Sequence, residues 1–333
     1  MDSLTQIVLG AAVGEAALGK KIGNKALLYG AIGGTIPDLD VFLGLFTDTV
    51  TAIELHRGIS HSIFFCIILA PLLGWLVHKI ERKKNLGWQP WTKLFFLSLI
   101  THPLLDAFTT WGTQLLWPFN IKIAFNSIFV IDPLYTLPFL FCCIAVLFCS
   151  RGSKLRMRFN RFGLIISTIY LLSTLILKLL AYKKIEKELD NQGIKYSSIS
   201  TRPAPFNTIL WNANIDTKEN YLITDYSFFD TKPLKFKKFP KNREKSSRLM
   251  KYLNVQRLIA ISNDWYIIEK KGGNWYFNDL RFGLIPREDG TSFFAFSYHL
   301  IEKEGKIQVI EVPKTKREAQ FLMQQLWHRV IGN

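Results

Sequence analysis

Histidines and aspartates recur in this chain at spacings that suit metal chemistry. The stretch ELHRGISHSIFF sets His56, Arg57 and His61 at the mouth of an apolar run. Upstream, IPDLD carries Asp38 and Asp40, and downstream THPLLDAFTTWG carries His102 and Asp106. His102 and Asp106 are four residues apart, so a helix puts both on one face. Imidazoles and carboxylates together make a donor set for divalent cations; zinc suits the histidines, and carboxylates also take a harder ion such as manganese. Beside such a centre, the guanidinium fork of Arg57 suits the oxygens of a phosphate. Each residue also has a plainer reading. Asp38 follows Pro37 and can cap a turn, and Asp40 is similar. Arg57 can pair with Glu54 or with lipid headgroups. Asp132, in IDPLY, has the habit of a turn residue. Glu15, in an apolar stretch, can be a ligand, a base or a partner to another side chain.

These residues must be positioned by membrane-crossing elements. The chain has 333 residues, 49% of them hydrophobic, yet a formal charge of +16. Its mean hydropathy is +0.14. High apolarity with high positive charge implies apolar spans with basic flanks rather than one basic globule. Apolar segments cover residues 4–18, 26–36 with a resumption at 41–46, 63–77, 94–107, 133–148 and 162–181, which predicts about five to six membrane helices. The first two are rich in Gly and Ala, which permits close helix packing. The opening MDSLTQIVLG has Asp2 where a signal peptide carries positive charge, so the segment is expected to be retained. Cys66, Cys142, Cys143 and Cys149 lie in apolar runs without metal-site spacing and are read as apolar filler.

The basic residues of GKKIGNK, HKIERKKN and RGSKLRMRFNR fall in alternate loops, whereas residues 38–62 carry only Arg57 and residues 106–132 only Lys122. Basic loops stay in the cytoplasm. The expected topology therefore puts Asp38, Asp40, His56, His61, His102, Asp106 and Asp132 at the outer face of an inner membrane. Ionisable groups so close to hydrocarbon are costly and mark function.

MDSLTQIVLGAAVGEAALGKK, IPDLD, HRGISHS and HPLLD together resemble the YdjM-like membrane-bound metal-dependent hydrolases, over roughly residues 1–180. That family is grouped, by distant similarity, with zinc-dependent phospholipase C and single-strand nucleases, helical proteins that cleave phosphate esters with clustered metal ions. The resemblance implies Asp38, Asp40, His56, His61, His102 and Asp106 as metal ligands or close partners. Many members carry a histidine near the start, where this chain has Gln6, a poor zinc ligand.

Beyond residue 182 the pattern changes. Residues 1–182 read as the helical membrane domain, 183–200 as a charged linker continuing the last span, and 201–333 as a strand-rich extracytoplasmic domain. Period-two runs such as NYLITDYSFF and NWYFNDLRFG predict antiparallel strands, and KGGNW a hairpin turn. KREAQFLMQQLWHRVIG predicts a closing amphipathic helix. Residues 183–333 hold 26 Lys and Arg against 17 Asp and Glu. That basic surface suits anionic headgroups or an anionic substrate.

The expected activity is metal-dependent hydrolysis at the outer membrane face. Asp40 or Asp106 orients the water or acts as base, and Arg57 stabilises phosphoryl charge. The expected substrate is a membrane lipid or lipid-linked phosphate ester; nucleic acid is not expected. Two other readings stay open: an ion-coupled transporter, which needs polar groups along a path through the membrane, and a membrane scaffold whose strand-rich half binds a partner.

Overall fold

A computed structural model describes residues 1–119, 121–313 and 319–333. The chain forms a helical N-terminal region followed by two small antiparallel sheets. It divides into two compact units. The first holds Met1–Leu45, Leu55–Ile176 and Pro205–Asn207; the second holds Phe46–Glu54, Leu177–Ala204 and Thr208–Asn333.

The first unit is built on α1 (Ser3–Ile22) and α2 (Lys25–Thr35). The Asp2 side chain caps α1 by accepting from the Thr5 amide at 3.1 Å. Gly10 and Gly14 on α1 face Gly30 and Gly34 on α2. A Cβ on any of these four would run into backbone of the opposite helix; on Gly34 it would lie 2.6 Å from the Gln6 carbonyl oxygen. The small residues noted in the sequence therefore allow backbone-to-backbone packing at i, i+4 spacing on both helices. A 3-10 turn, Ile36–Asp40, and the short α3 (Val41–Gly44) extend α2. After α4 (Thr49–Leu55) and a 3-10 turn at Ile59–His61 come α5 (Ile63–Ile80) and α6 (Gln89–Asp106). Ser62 caps α5, accepting from the Phe65 amide at 3.1 Å, so the helix starts two residues after His61. Next come α7 (Pro133–Phe148) and α8 (Lys154–Asn191). Trp91, Leu94, Phe95 and Leu99 of α6 are fully buried with Cys66 and Ala70 of α5 and Ala26 of α2.

The expectation of five to six membrane helices is corrected. Among the described residues, three helical stretches are long and apolar enough to cross a membrane: Lys25–Gly44, Ile63–Ile80 and Lys154–Asn191. The apolar α7 has 16 residues, short of the roughly 20 that span a bilayer. Most of α1 and half of α6 are buried against other helices. They can therefore carry Gln6, Glu15, Ser98, His102 and Asp106, which lowers their apolarity. Glu15 is answered from α8: Arg156 Nε and Nη2 donate to its two oxygens at 2.7 and 2.6 Å, and both side chains are buried.

In the second unit β1 (Ser198–Pro203), β2 (Leu210–Asp216), β3 (Asn220–Ser227) and β4 (Lys237–Pro240) form one antiparallel meander. The short α9 (Arg243–Ser246) and α10 (Leu253–Ile261) lead to a second, made of β5 (Tyr266–Lys271), β6 (Asn274–Pro286), β7 (Ser292–Lys303) and β8 (Lys306–Glu311). KGGNW is a two-residue hairpin. Lys271 pairs with Asn274, and Gly272 and Gly273 take the positive φ values of 55° and 85° that such a turn needs. Residues 183–191, read as the start of a linker, form the last turns of α8, where Ile185 and Leu189 are buried with Trp211, Ala213 and Ile215. The closing helix is α11 (Ala319–Val330); the first three residues of its predicted stretch lie outside the described residues.

Candidate metal centre

Four side chains from three elements of the first unit meet. Asp38 comes from the 3-10 turn after α2, His61 from the turn before α5, and His102 and Asp106 from the last turns of α6. One ligand atom from each lies within 4.8 Å of all the others. Asp38 Oδ1 is 3.4 Å from His61 Nε2 and 3.3 Å from His102 Nε2. Asp106 Oδ2 is 3.5 Å from His61 Nε2 and 3.8 Å from His102 Nε2, and the two Nε2 atoms are 3.2 Å apart. Ligand atoms bound tetrahedrally at zinc-like distances stand about 3.3–3.5 Å from one another. Asp38 keeps partial exposure, 21% for its side chain, while the other three are buried.

The hydrogen bonds behind these atoms aim them inward. His102 Nδ1 donates to the Gly34 carbonyl at 2.5 Å, and a carbonyl only accepts. In the neutral ring, Nε2 of His102 therefore presents its lone pair. Ser60 Oγ donates to Asp40 Oδ2 at 2.8 Å, and His61 Nδ1 lies 2.9 Å from Ser60 Oγ and 3.3 Å from Asp40 Oδ2. That network assigns the His61 proton to Nδ1 and turns a second lone pair toward the first. Two facing lone pairs repel unless a proton or a cation lies between them. Burial opposes a charge on His61, but the Asp106, Asp38 and Asp40 carboxylates outweigh it and raise its pKa to about 9. The cluster is built to hold positive charge. Asp106 Oδ2 is buried, accepts no hydrogen bond, and faces both imidazoles. Arg57 Nε stands 3.1 Å from it in an ion pair without hydrogen-bond geometry, and a divalent cation would complete its partners. The residues present fit such an ion.

Asp40 and His56 lie one step out. Both Asp40 oxygens are taken by donors: Oδ1 is 2.9 Å from His56 Nδ1, and Oδ2 accepts from the Arg57 amide at 2.9 Å and from Ser60. Asp40 thus orients His61 from behind, as carboxylates do behind metal-bound histidines. Arg57 is buried; its Nε is 3.1 Å from Asp106 Oδ2, and its Nη1 donates to Thr109 Oγ1 at 2.7 Å. Its φ of +62° is a left-handed conformation uncommon for a non-glycine residue, of the kind that collects at functional sites. Gln6 Nε2 donates to Asp106 Oδ1 at 2.9 Å, so Gln6 holds the carboxylate from its far side. The Met1 amino nitrogen also meets Asp106 Oδ1. Asp132 stands apart from the cluster: it caps α7, accepting from the Leu134 and Tyr135 amides and from the Tyr170 hydroxyl. Ser60, Thr109 and the Gly34 carbonyl were missed in the sequence. Ser60 sits inside HRGISHS, but nothing distinguishes a working serine there from a turn residue.

Comparisons with known proteins bear on the same half of the chain. The family model described as YdjM inner membrane protein matches residues 1–183, more than half of the sequence. The chain is 32% identical over 144 residues to the uncharacterized protein YfhP of Bacillus subtilis (strain 168), covering 40% of this chain and 42% of YfhP. The match thus spans less than half the length of that relative. No solved structure matches.

Proposed function

This chain belongs to the YdjM inner membrane protein family, and from that premise we propose that it is a metal-dependent hydrolase acting on a phosphate ester at the membrane surface. The observation that carries the reading is the convergence of Asp38, His61, His102 and Asp106, with Asp106 Oδ2 buried and without a hydrogen bond. These four residues would hold the ion, zinc or manganese by donor type. A bound divalent cation supplies Lewis acidity toward a phosphoryl oxygen and makes water acidic enough to attack near neutral pH.

The chain's own residues do the rest. Asp40 fixes the His61 ring through Nδ1, and Gly34 fixes His102. His56, 30% exposed in its side chain and bound to Asp40, is placed to exchange protons with solvent. Asp38, the least buried of the four, is the edge from which a substrate enters. Arg57 sets positive charge beside Asp106, where charge on a transferring phosphoryl group is stabilised. Leu39, Val41, Phe42 and Leu43, exposed next to Asp38 and Asp40, suit a lipid or lipid-linked substrate that stays in its leaflet. The alternation of basic loops supports a reading in which this end of the helices, and the second unit, lie outside the cytoplasm. A transporter fits less well, because the deeper acid Glu15 is closed off by Arg156 instead of continuing a path.

The test is metal content of the detergent-purified full chain, by inductively coupled plasma mass spectrometry, beside His61→Ala, His102→Ala. Near-stoichiometric zinc or manganese in the wild type, lost in the double variant, is expected. Cleavage of bis-p-nitrophenyl phosphate and of dispersed phospholipid should then depend on that metal. A wild type that holds no metal after reconstitution sinks the reading.

A further inference from the structure

We infer that Arg257, in the second unit, is a positioning residue for the metal centre, acting along the chain through α4. The inference rests on the metal-centre reading but not on the hydrolase reading. Residues 41–55 are all that connect Asp40 to His56 in sequence, and Phe46–Glu54 of that connection belong to the second unit. There α4 is anchored in three ways. Asp48 caps it, with its carboxylate accepting from the Val50 and Thr51 amides at 3.0 and 3.2 Å. Val50 is fully buried in a cluster with Leu249, Tyr252 and Val255, and Ile53 packs on the same cluster. Finally, the Arg257 fork closes on Glu54. Nε donates to Oε1 at 3.0 Å and Nη2 to Oε2 at 2.7 Å, while Nη2 also reaches Thr51 Oγ1 at 2.9 Å. Asn254 holds the fork in place by accepting from Nη1 at 3.2 Å.

Glu54 is two residues before His56 and three before Arg57. His56 bonds Asp40, and the Arg57 amide bonds the same carboxylate from a left-handed backbone. Such a conformation persists only where the surrounding structure fixes it. On the C-terminal side it is fixed by Ser60 and His61 on Asp40 and by the cap of α5. On the N-terminal side the Leu55 carbonyl accepts from the Gly58 amide at 3.0 Å, and the next side-chain anchor along the chain is Glu54. The pair is partly exposed, 25% for Arg257 and 39% for Glu54. An exposed ion pair contributes little to global stability. Its two-point geometry instead holds the last turn of α4, which runs covalently into His56.

The test uses the full chain in detergent, with cobalt(II) as the probe. Arg257→Ala is expected to weaken cobalt binding by about tenfold, the lower end of what loss of an outer-shell partner costs. It should also speed amide hydrogen exchange across residues 56–61 while leaving the thermal midpoint nearly unchanged. Arg257→Lys keeps the charge but not the fork and should recover only part. The exchanged pair Glu54→Arg, Arg257→Glu should recover most of both effects. Wild-type cobalt affinity and wild-type exchange at residues 56–61 in Arg257→Ala overturn the inference, as does a folded exchanged pair that recovers neither. A wild type that takes up no cobalt refutes the metal-centre reading instead, and the exchange measurement still decides whether Arg257 holds the segment.

Discussion

Gly30→Ala gives the sharpest test of how the helices place the centre. A Cβ at residue 30 would meet the Gly10 carbonyl oxygen and stand 2.8 Å from Gly14 Cα. Carbon contacts are comfortable at about 3.5–4.0 Å, so α1 and α2 must part by roughly 1 Å. No flexible side chain is there to yield, because the obstacle is backbone. Overpacking costs about 1–3 kcal/mol, and a backbone obstacle puts this variant near 3. The displacement also reaches the site. Gly34, one turn further along α2, accepts from His102 Nδ1 at 2.5 Å; with about 1 Å added, that bond passes the limit of about 3.2 Å for a good N–H···O contact. Losing the partner that orients a ligand histidine lowers metal affinity by about 10–100-fold. The assay pairs thermal melts followed by circular dichroism with cobalt titration in detergent. Leu28→Ala serves as control, since Leu28 is 57% exposed on the same helix. If Gly30→Ala melts and binds cobalt like the wild type, glycine packing does not set the centre's geometry and the reasoning fails.

Further outcomes separate ligands from their supports. Asp106→Asn should remove the metal, whereas Asp132→Ala should keep it and lose about 0.5–2 kcal/mol as an uncapped helix start; equal metal loss in both would refute the division between them. His61→Ala should lose the metal outright, and His56→Ala, which removes a partner of Asp40, should weaken it about tenfold. A titration that ranks the two alike would place His56 among the ligands. Glu15→Gln strands the buried Arg156 and should destabilise the fold by about 3–5 kcal/mol, with the folded fraction still binding metal one to one. Retained stability would mean that the pair is not the lock between α1 and α8.

Much of the site is legible where a local period fixes direction. His102 and Asp106 share a helical face by spacing alone, and the structure brings Nε2 and Oδ2 to 3.8 Å. PDLD is different. Its two acids lie on a 3-10 turn of about three residues per turn, where i and i+2 point apart. Asp38 reaches the imidazoles and Asp40 turns to the amide of Arg57 and the back of His61. Sequence offers no means of choosing which acid goes where, because it does not reveal the turn type. Span number fails for another reason. Hydropathy records how apolar a segment is, not whether neighbours cover it, so the covered helices α1 and α6 look like weak spans. The same limit hides Arg156, one of the basic residues counted toward a cytoplasmic loop, which is buried against Glu15. The membership of Thr49–Glu54 of α4 in the second unit has even less signal, since in so short a helix nothing marks Val50 and Ile53 as the apolar residues that pack there.

These features bear on why the centre forms where it does. Polar groups at membrane depth are tolerable only when each is answered within the protein. On α1 and α6 the answers come from helix backbone and from one another: Gly34 for His102, Gln6 for Asp106, Arg156 for Glu15. The glycine faces bring α2 close enough for its carbonyl to serve as a partner, so the packing that removes side chains from the helix interface also supplies an acceptor for the histidine. Asp106 Oδ2 is left without a hydrogen bond. The fold answers Glu15 with a two-point arginine, but sets beside this oxygen the single Arg57 Nε at 3.1 Å and two imidazoles, an arrangement that could hold a cation.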